Sequence, residues 1–191
     1  MRRHLHLRAL PAAAAIVTAA VTVTVAPASG AGAAGPTSVT VAPASRAPVS
    51  AQDRAWLREA HQANLAEIDV GELAGKKGAT SEVRSAGRML VTDHTAFDGK
   101  VTRLAERLGV SLPKTPTPAD TAAADRLRNE SGKAFDQDFL STMVSGHRKV
   151  IADTRTQVSQ GSSTRVIALA KNALPELRKH LAMLRKTQTS G

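Results

Sequence analysis

Residues 110–132, VSLPKTPTPADTAAADRLRNESG, separate two pairs of long helical segments. Pro113, Pro116 and Pro118 exclude helix from Val110 to Ala119, because each proline removes a backbone donor and clashes with the preceding turn. Asp120 is a candidate cap for a short helix from Thr121 to Glu130, which Ser131-Gly132 ends. The extended part of this stretch reaches about 30 Å and its short helix about 15 Å more. That is enough to run the length of a helical bundle. The two helices it joins are therefore predicted to be parallel, while the flanking pairs, joined by short turns, are antiparallel. The expected fold is all-α: a ferritin-like four-helix bundle with one long crossover containing a short extra helix.

The helices on either side follow from their apolar spacing. The first is predicted from Ser50 or Asp53 to Lys77, with Trp56, Ala60, Ala63, Glu67, Val70 and Ala74 on one face and Asn64 and Gly71 beside them. The second starts at Thr80 or Ser81 and stops at Gly109, with Val83, Leu90, His94, Phe97, Val101, Leu104 and Leu108 inward. The third long helix runs from about Lys133 to Gln160 and carries Phe139, Leu140, Met143, His147, Val150, Ile151 and Val158. The last follows Ser162 or Ser163, with Val166, Ala170, Ala173, Leu177, Leu181 and Leu184 inward and an expected kink at Pro175.

Each long helix holds a titratable residue near its midpoint, inside the apolar face. Equal depth along the bundle places Glu67, His94, His147 and Glu176 in one layer, with His180 one turn away, roughly 6 Å. An unpartnered ionisable group in an apolar core costs several kcal/mol, on the order of 5. These side chains must therefore partner one another or hold something between them. Two imidazoles and two carboxylates, with His180 nearby, form a ligand set suited to one transition-metal ion. A water-linked polar layer without metal is the alternative, and catalysis a third. Asp93 is read as orienting His94 or facing solvent, His61 as surface, and Asp136 as complementing the N-terminus of its own helix.

Composition narrows the function classes. The chain has 191 residues, no cysteine and 2% aromatics. Disulfides, thiol catalysis and cysteine-zinc sites are excluded. So few aromatic platforms argue against a single-stranded nucleic-acid binder. No Gly-x-Ser-x-Gly turn or phosphate-cradling glycine loop is present.

Met1 to Arg8 is basic and Ala9 to Ala26 is uncharged, and small-x-small sites follow at Ala26-Pro27-Ala28 and Ala31-Gly32-Ala33. Residues 1–28 are read as a signal peptide cut near 28 or 33, with a membrane anchor as the alternative. Residues 29–50 are read as a flexible spacer and 51–188 as the bundle, which is expected to be exported to the cell envelope or beyond.

The net charge is +10, and beyond the signal the surplus falls after Phe139. Arg178, Lys179, Arg185 and Lys186 form a candidate surface for anionic cell-wall polymer or a membrane surface, against the simpler reading of a solvated helix face. The leading functional expectation is a non-catalytic envelope-binding protein. A mononuclear metal-binding protein is the alternative and a redox enzyme ranks last.

Several blocks resemble a known bacterial family. They are Glu67-Ile68-Asp69-Val70-Gly71-Glu72-Leu73-Ala74, Met89-Leu90-Val91-Thr92-Asp93-His94, Gly132 to Phe139 with His147, and Leu174-Pro175-Glu176-Leu177 with His180. In order and spacing they are similar to the domain-of-unknown-function family numbered 4142, over about Ala51 to Lys186. The resemblance implies export and a ferritin-like fold with no assigned activity. It marks Glu67, Asp93, His94, Asp136, His147 and His180 as motif positions. The chain departs from the di-iron pattern of ferritin-like proteins, which needs Glu-x-x-His on two helices plus two further glutamates. One metal ion is the most the residues suggest.

Overall fold

A computed structural model describes residues 49–190. The predicted signal segment and nearly all of the predicted spacer lie outside them. Ser50 and Asp53 start the first helix with a reciprocal capping box: Asp53 N–H donates to Ser50 Oγ at 3.1 Å, and Ser50 N–H to Asp53 Oδ2 at 3.0 Å. Helix α1 then spans Ala51–Lys77 and α2 spans Ser81–Arg107, capped by Thr80. Gly109 turns the chain after α2 at φ +65°, a conformation that favours glycine.

The crossover helix α3 spans Pro118–Asn129, three residues earlier than the sequence reading. Thr117, not Asp120, is its N-cap. Pro118 takes the first helical position, where its missing N–H leaves no bond unmade. Asp120 sits in the first turn and accepts from the Thr117 hydroxyl at 2.6 Å. Helix α4 spans Gly132–Gln160 and α5 spans Thr164–Ser190, the latter continuing through Pro175.

The bundle is all-α, with α1/α2 and α4/α5 as hairpins. Helix α1 packs on α4, α2 packs on α5, and α3 lies against α1 and α4. Two buried carboxylates fix the helix directions. Asp53, at the start of α1, accepts from Gln157 Nε2 at the end of α4 (2.7 Å) and from Ser163 N–H just before α5 (3.0 Å). Asp136, near the start of α4, accepts from Ala79 N–H (2.9 Å), Thr80 N–H (3.0 Å) and the Thr80 hydroxyl (3.0 Å) at the start of α2. So α2 and α4 begin at the same end, as the long crossover required. Asp136 serves the N-terminus of α2 rather than that of its own helix.

Helices α1 and α2 approach closely at two glycines. A methyl group on Gly87 would sit 2.5 Å from the carbonyl oxygen of Gly71, inside contact distance. The apolar interior falls into separate clusters. One gathers Val70, Ala74, Val83, Leu90, Phe135, Phe139 and Leu184, with Leu127 of α3 closing it. Another gathers Trp56, Leu57, Val101, Leu104, Val166 and Ala170. Between these levels every long helix carries a buried polar residue, Glu67, His94, His147 or His180, beside a smaller apolar cluster of Ile151, Ala173 and Leu177. Among the described residues, no helix is long and apolar enough to cross a membrane.

Candidate metal centre

Each of the four long helices delivers one side chain to the polar belt. Glu67, His94, His147 and His180 are each at least 95% buried, so no bulk water offsets their polarity. The three imidazoles face one another with centroids 5.3–5.7 Å apart. One nitrogen from each lies within 4.8 Å of those of the other two.

Hydrogen bonds outside the ring of imidazoles fix which nitrogen points inward. Asn64 Nδ2 donates to Asp98 Oδ1 at 3.3 Å, which turns the Asn64 amide oxygen to His94 Nδ1 at 3.0 Å. An amide oxygen only accepts, so His94 Nδ1 carries the proton. His147 Nδ1 donates to the Met143 carbonyl oxygen at 3.0 Å, by the same logic. His180 Nε2 donates to Asp93 Oδ2 at 3.0 Å. The remaining nitrogens, Nε2 of His94 and His147 and Nδ1 of His180, turn toward the centre and, in the neutral ring, hold lone pairs.

Those inward atoms lack donors. His147 Nε2 faces His180 Nδ1 at 3.4 Å. Glu67 Oε2 lies 3.7 Å from His147 Nε2 and 2.5 Å from His94 Nε2. The last pair is in contact, yet its alignment is not that of a hydrogen bond, and both atoms are buried without a hydrogen-bond partner. The contact is attractive only with a proton on the His94 ring, which then forms an ion pair with the Glu67 carboxylate. Electron-rich atoms gathered in this way need a proton or a cation among them.

Without an ion, a proton on His94 fills that need. Burial would raise the Glu67 carboxyl, but the charges of His94 and then His147 outweigh it and hold the group at about 2. Burial pushes His94 down, and the Glu67 charge more than offsets it, so His94 is raised. His180 is lowered, first by burial and then by the positive charge of His94, with Asp93 opposing.

Tetrahedral ligands at metal–nitrogen distances of about 2.0–2.1 Å lie roughly 3.3 Å apart. The 3.4 Å and 3.7 Å separations fit that spacing, while the His94–Glu67 contact would have to open by somewhat under an ångström.

A family profile described as "Domain of unknown function (DUF4142)" matches residues 38–187. The chain belongs to the DUF4142 family. No curated protein matches it. Among solved structures, the crystal structure of a DUF305 fragment from Deinococcus radiodurans is similar, with a TM-score of 0.68 and 14% identity. It covers 76% of this chain and 100% of that one, and at this identity the likeness shows the fold.

In this DUF4142 chain the predicted layer changes by one member. Glu176 lies outside the belt, with a side chain 47% exposed, paired with Lys179 Nζ at 2.9 Å and standing 3.5 Å from His180 Nε2. The buried stripe of α5 is Ala173, Leu177, His180 and Leu184, and Glu176 is displaced by about 100° around the helix from Leu177. Asp93 serves His180 on the neighbouring helix rather than His94. His61 is not a free surface histidine, since its Nδ1 lies 2.7 Å from Asp98 Oδ1 with the ring largely covered. Sequence reading gave no role to Asn64, Asp98 or Met143 as supports of the belt. Two of these had a signal: Asn64 is three residues before Glu67, and Asp98 four after His94, so each shares a helix face with its partner. The Met143 carbonyl had none.

Proposed function

We propose that this protein binds one first-row transition-metal ion through His94, His147, His180 and Glu67. The supporting observation is that three buried imidazoles each commit one N–H to a fixed outside acceptor and present the other nitrogen to a common centre beside a carboxylate. Outside acceptors of this kind are what orient histidine ligands in metal sites. Nitrogen-rich ligation with one carboxylate suits zinc, copper or iron better than magnesium or calcium. Without metal, the proton that Glu67 holds on His94 occupies that centre, and metal binding must displace it.

Elemental analysis of the protein purified from its native host should find stoichiometric metal. Zinc, copper or cobalt added to metal-free protein should raise its melting temperature. The double substitution His94→Ala with His147→Ala should abolish both effects. Metal-free native protein that no added ion stabilises overturns the reading.

A second reading concerns the basic face of α5. Arg178, Lys179, Arg185 and Lys186 are all exposed, although Lys179 is tied to Glu176. With the cationic surplus of this region they support attraction to an anionic envelope polymer. Binding to polyphosphate resin at low salt should weaken steeply by about 0.5 M salt, where screening is strong, and should disappear on reversal of the four charges to Glu. Retention that ignores both salt and charge reversal removes this role.

A further inference from the structure

A cleft of about 540 Å³ lies between α1, α3 and α4, with Glu67 and Met143 in its wall. Its walls are built largely from small or apolar residues, including Ala60, Ala63, Ala123 and Gly146. This volume falls in the range of small-molecule sites, about 300–1,000 Å³.

Gly146 is the informative residue. It lies in the middle of α4, where glycine is less favourable than alanine. The other glycines inside long helices, Gly71, Gly75, Gly87 and Gly99, each have a neighbouring atom within 4 Å of where a side chain would start. Gly146 has none. No close helix approach accounts for it, and the space in front of it is the cleft. A methyl group here would meet no neighbouring atom within 4 Å, and a larger side chain would extend into the cleft.

Charge gives the occupant a sign. Arg126 and Lys149 are both neutralised within the wall, by Asp138 at 2.6 Å and Asp153 at 2.7 Å. Glu59 and Asp120 then leave an acidic surplus, Glu67 being balanced by His94. Glu67, 5% exposed, closes the cleft toward the belt, with its Oε2 turned to His94 and His147.

We propose that the cleft binds a small organic amine: an apolar body against the alanine-rich wall, with its cationic end directed to the acidic rim at Glu59 and Asp120. The proposal goes beyond the metal reading, since it concerns a separate space that meets the belt at one carboxylate.

The test uses benzylamine as the probe, with the neutral benzyl alcohol and the anionic benzoate as comparators, titrated by ligand-observed NMR into the full chain as purified. Benzylamine should bind at least about tenfold more tightly than benzoate. Gly146→Phe, which fills the cleft, should weaken benzylamine by about tenfold or more, while helical content and melting temperature are kept. Gly146→Leu serves the same purpose should Phe prove too large. Gly146→Ala, which occupies little of the space, should bind nearly as the parent does. No measurable benzylamine binding, equal binding of benzoate, or undiminished binding in a folded Gly146→Phe or Gly146→Leu protein would overturn the proposal.

Discussion

At the scale of single residues, the belt is defined by tautomers. Asn64 and Asp93 do not reach the centre, yet they decide which nitrogens of His94 and His180 do. Asn64→Leu would leave the His94 Nδ1–H buried and unpartnered, free to rotate or exchange its proton position. Loss of a support of this kind lowers metal affinity by about 10–100-fold. Competition against a chelator, followed by calorimetry, should show that loss while circular dichroism shows the fold retained; unchanged affinity would mean that Asn64 sets nothing. Most of the belt was legible in the sequence, because Glu67, His94 and His147 are the only ionisable residues near the middle of their apolar stripes. Both Glu176 and His180 were legible as candidates on α5, but not which of them faces the centre. Depth counted from helix midpoints fixes height along the bundle but not rotation, and on α5 the two candidates differ mainly in rotation.

At the scale of helices, the caps are shared between hairpins. Asp53 belongs to the capping box of α1 and also holds the chain entering α5, and Asp136, in the early part of α4, holds the start of α2. Asp53 is fully buried, and burial would raise its pKa. Hydrogen bonds from the Ser50 backbone, Gln157, the Ser50 hydroxyl and the Ser163 backbone outweigh that and lower it below its ordinary value of 3.8. The ionised form is therefore preferred in the folded state. Its contribution is complete above about pH 4, where the unfolded carboxyl is also ionised, and is lost as pH falls through the depressed folded value. Denaturant titrations from pH 7 down to pH 2 should show this component in the parent and not in Asp53→Asn. At neutral pH that variant should be weaker by about 2–3 kcal/mol, since an amide nitrogen replaces an oxygen facing donors. Equal acid sensitivity of the two proteins would place the acid response elsewhere. The capping signals at Ser50 and Thr80 were readable because they are local. The bond from Asp136 to α2 was not, because it depends on which helix ends meet.

At the scale of the whole molecule, the two hairpins are built alike. Asp53, Trp56, Leu57 and Ala60 on α1 have counterparts at Asp136, Phe139, Leu140 and Met143 on α4, all buried at matching spacing. Continuing that spacing pairs Asn64 with His147, so the likeness breaks at the belt. There one hairpin supplies an orienting amide and the other a ligand. The overall architecture was legible because the crossover is too long for a turn and too rich in proline for one continuous helix. The cleft beneath α3 was not, since no sequence period states how far apart α1 and α4 stand.

Because each hairpin borrows a carboxylate from the other, neither holds a complete set of its own fastenings. A nick in the crossover near Lys114 should leave two pieces that each remain poorly helical when alone. Mixed together, they should reconstitute a helical heterodimer, and the extent of reassembly, read by circular dichroism against concentration, should fall sharply when either Asp53 or Asp136 is replaced. If the pieces were stably helical apart, the exchanged carboxylates would be ornaments of the assembled bundle rather than the clasps that close it.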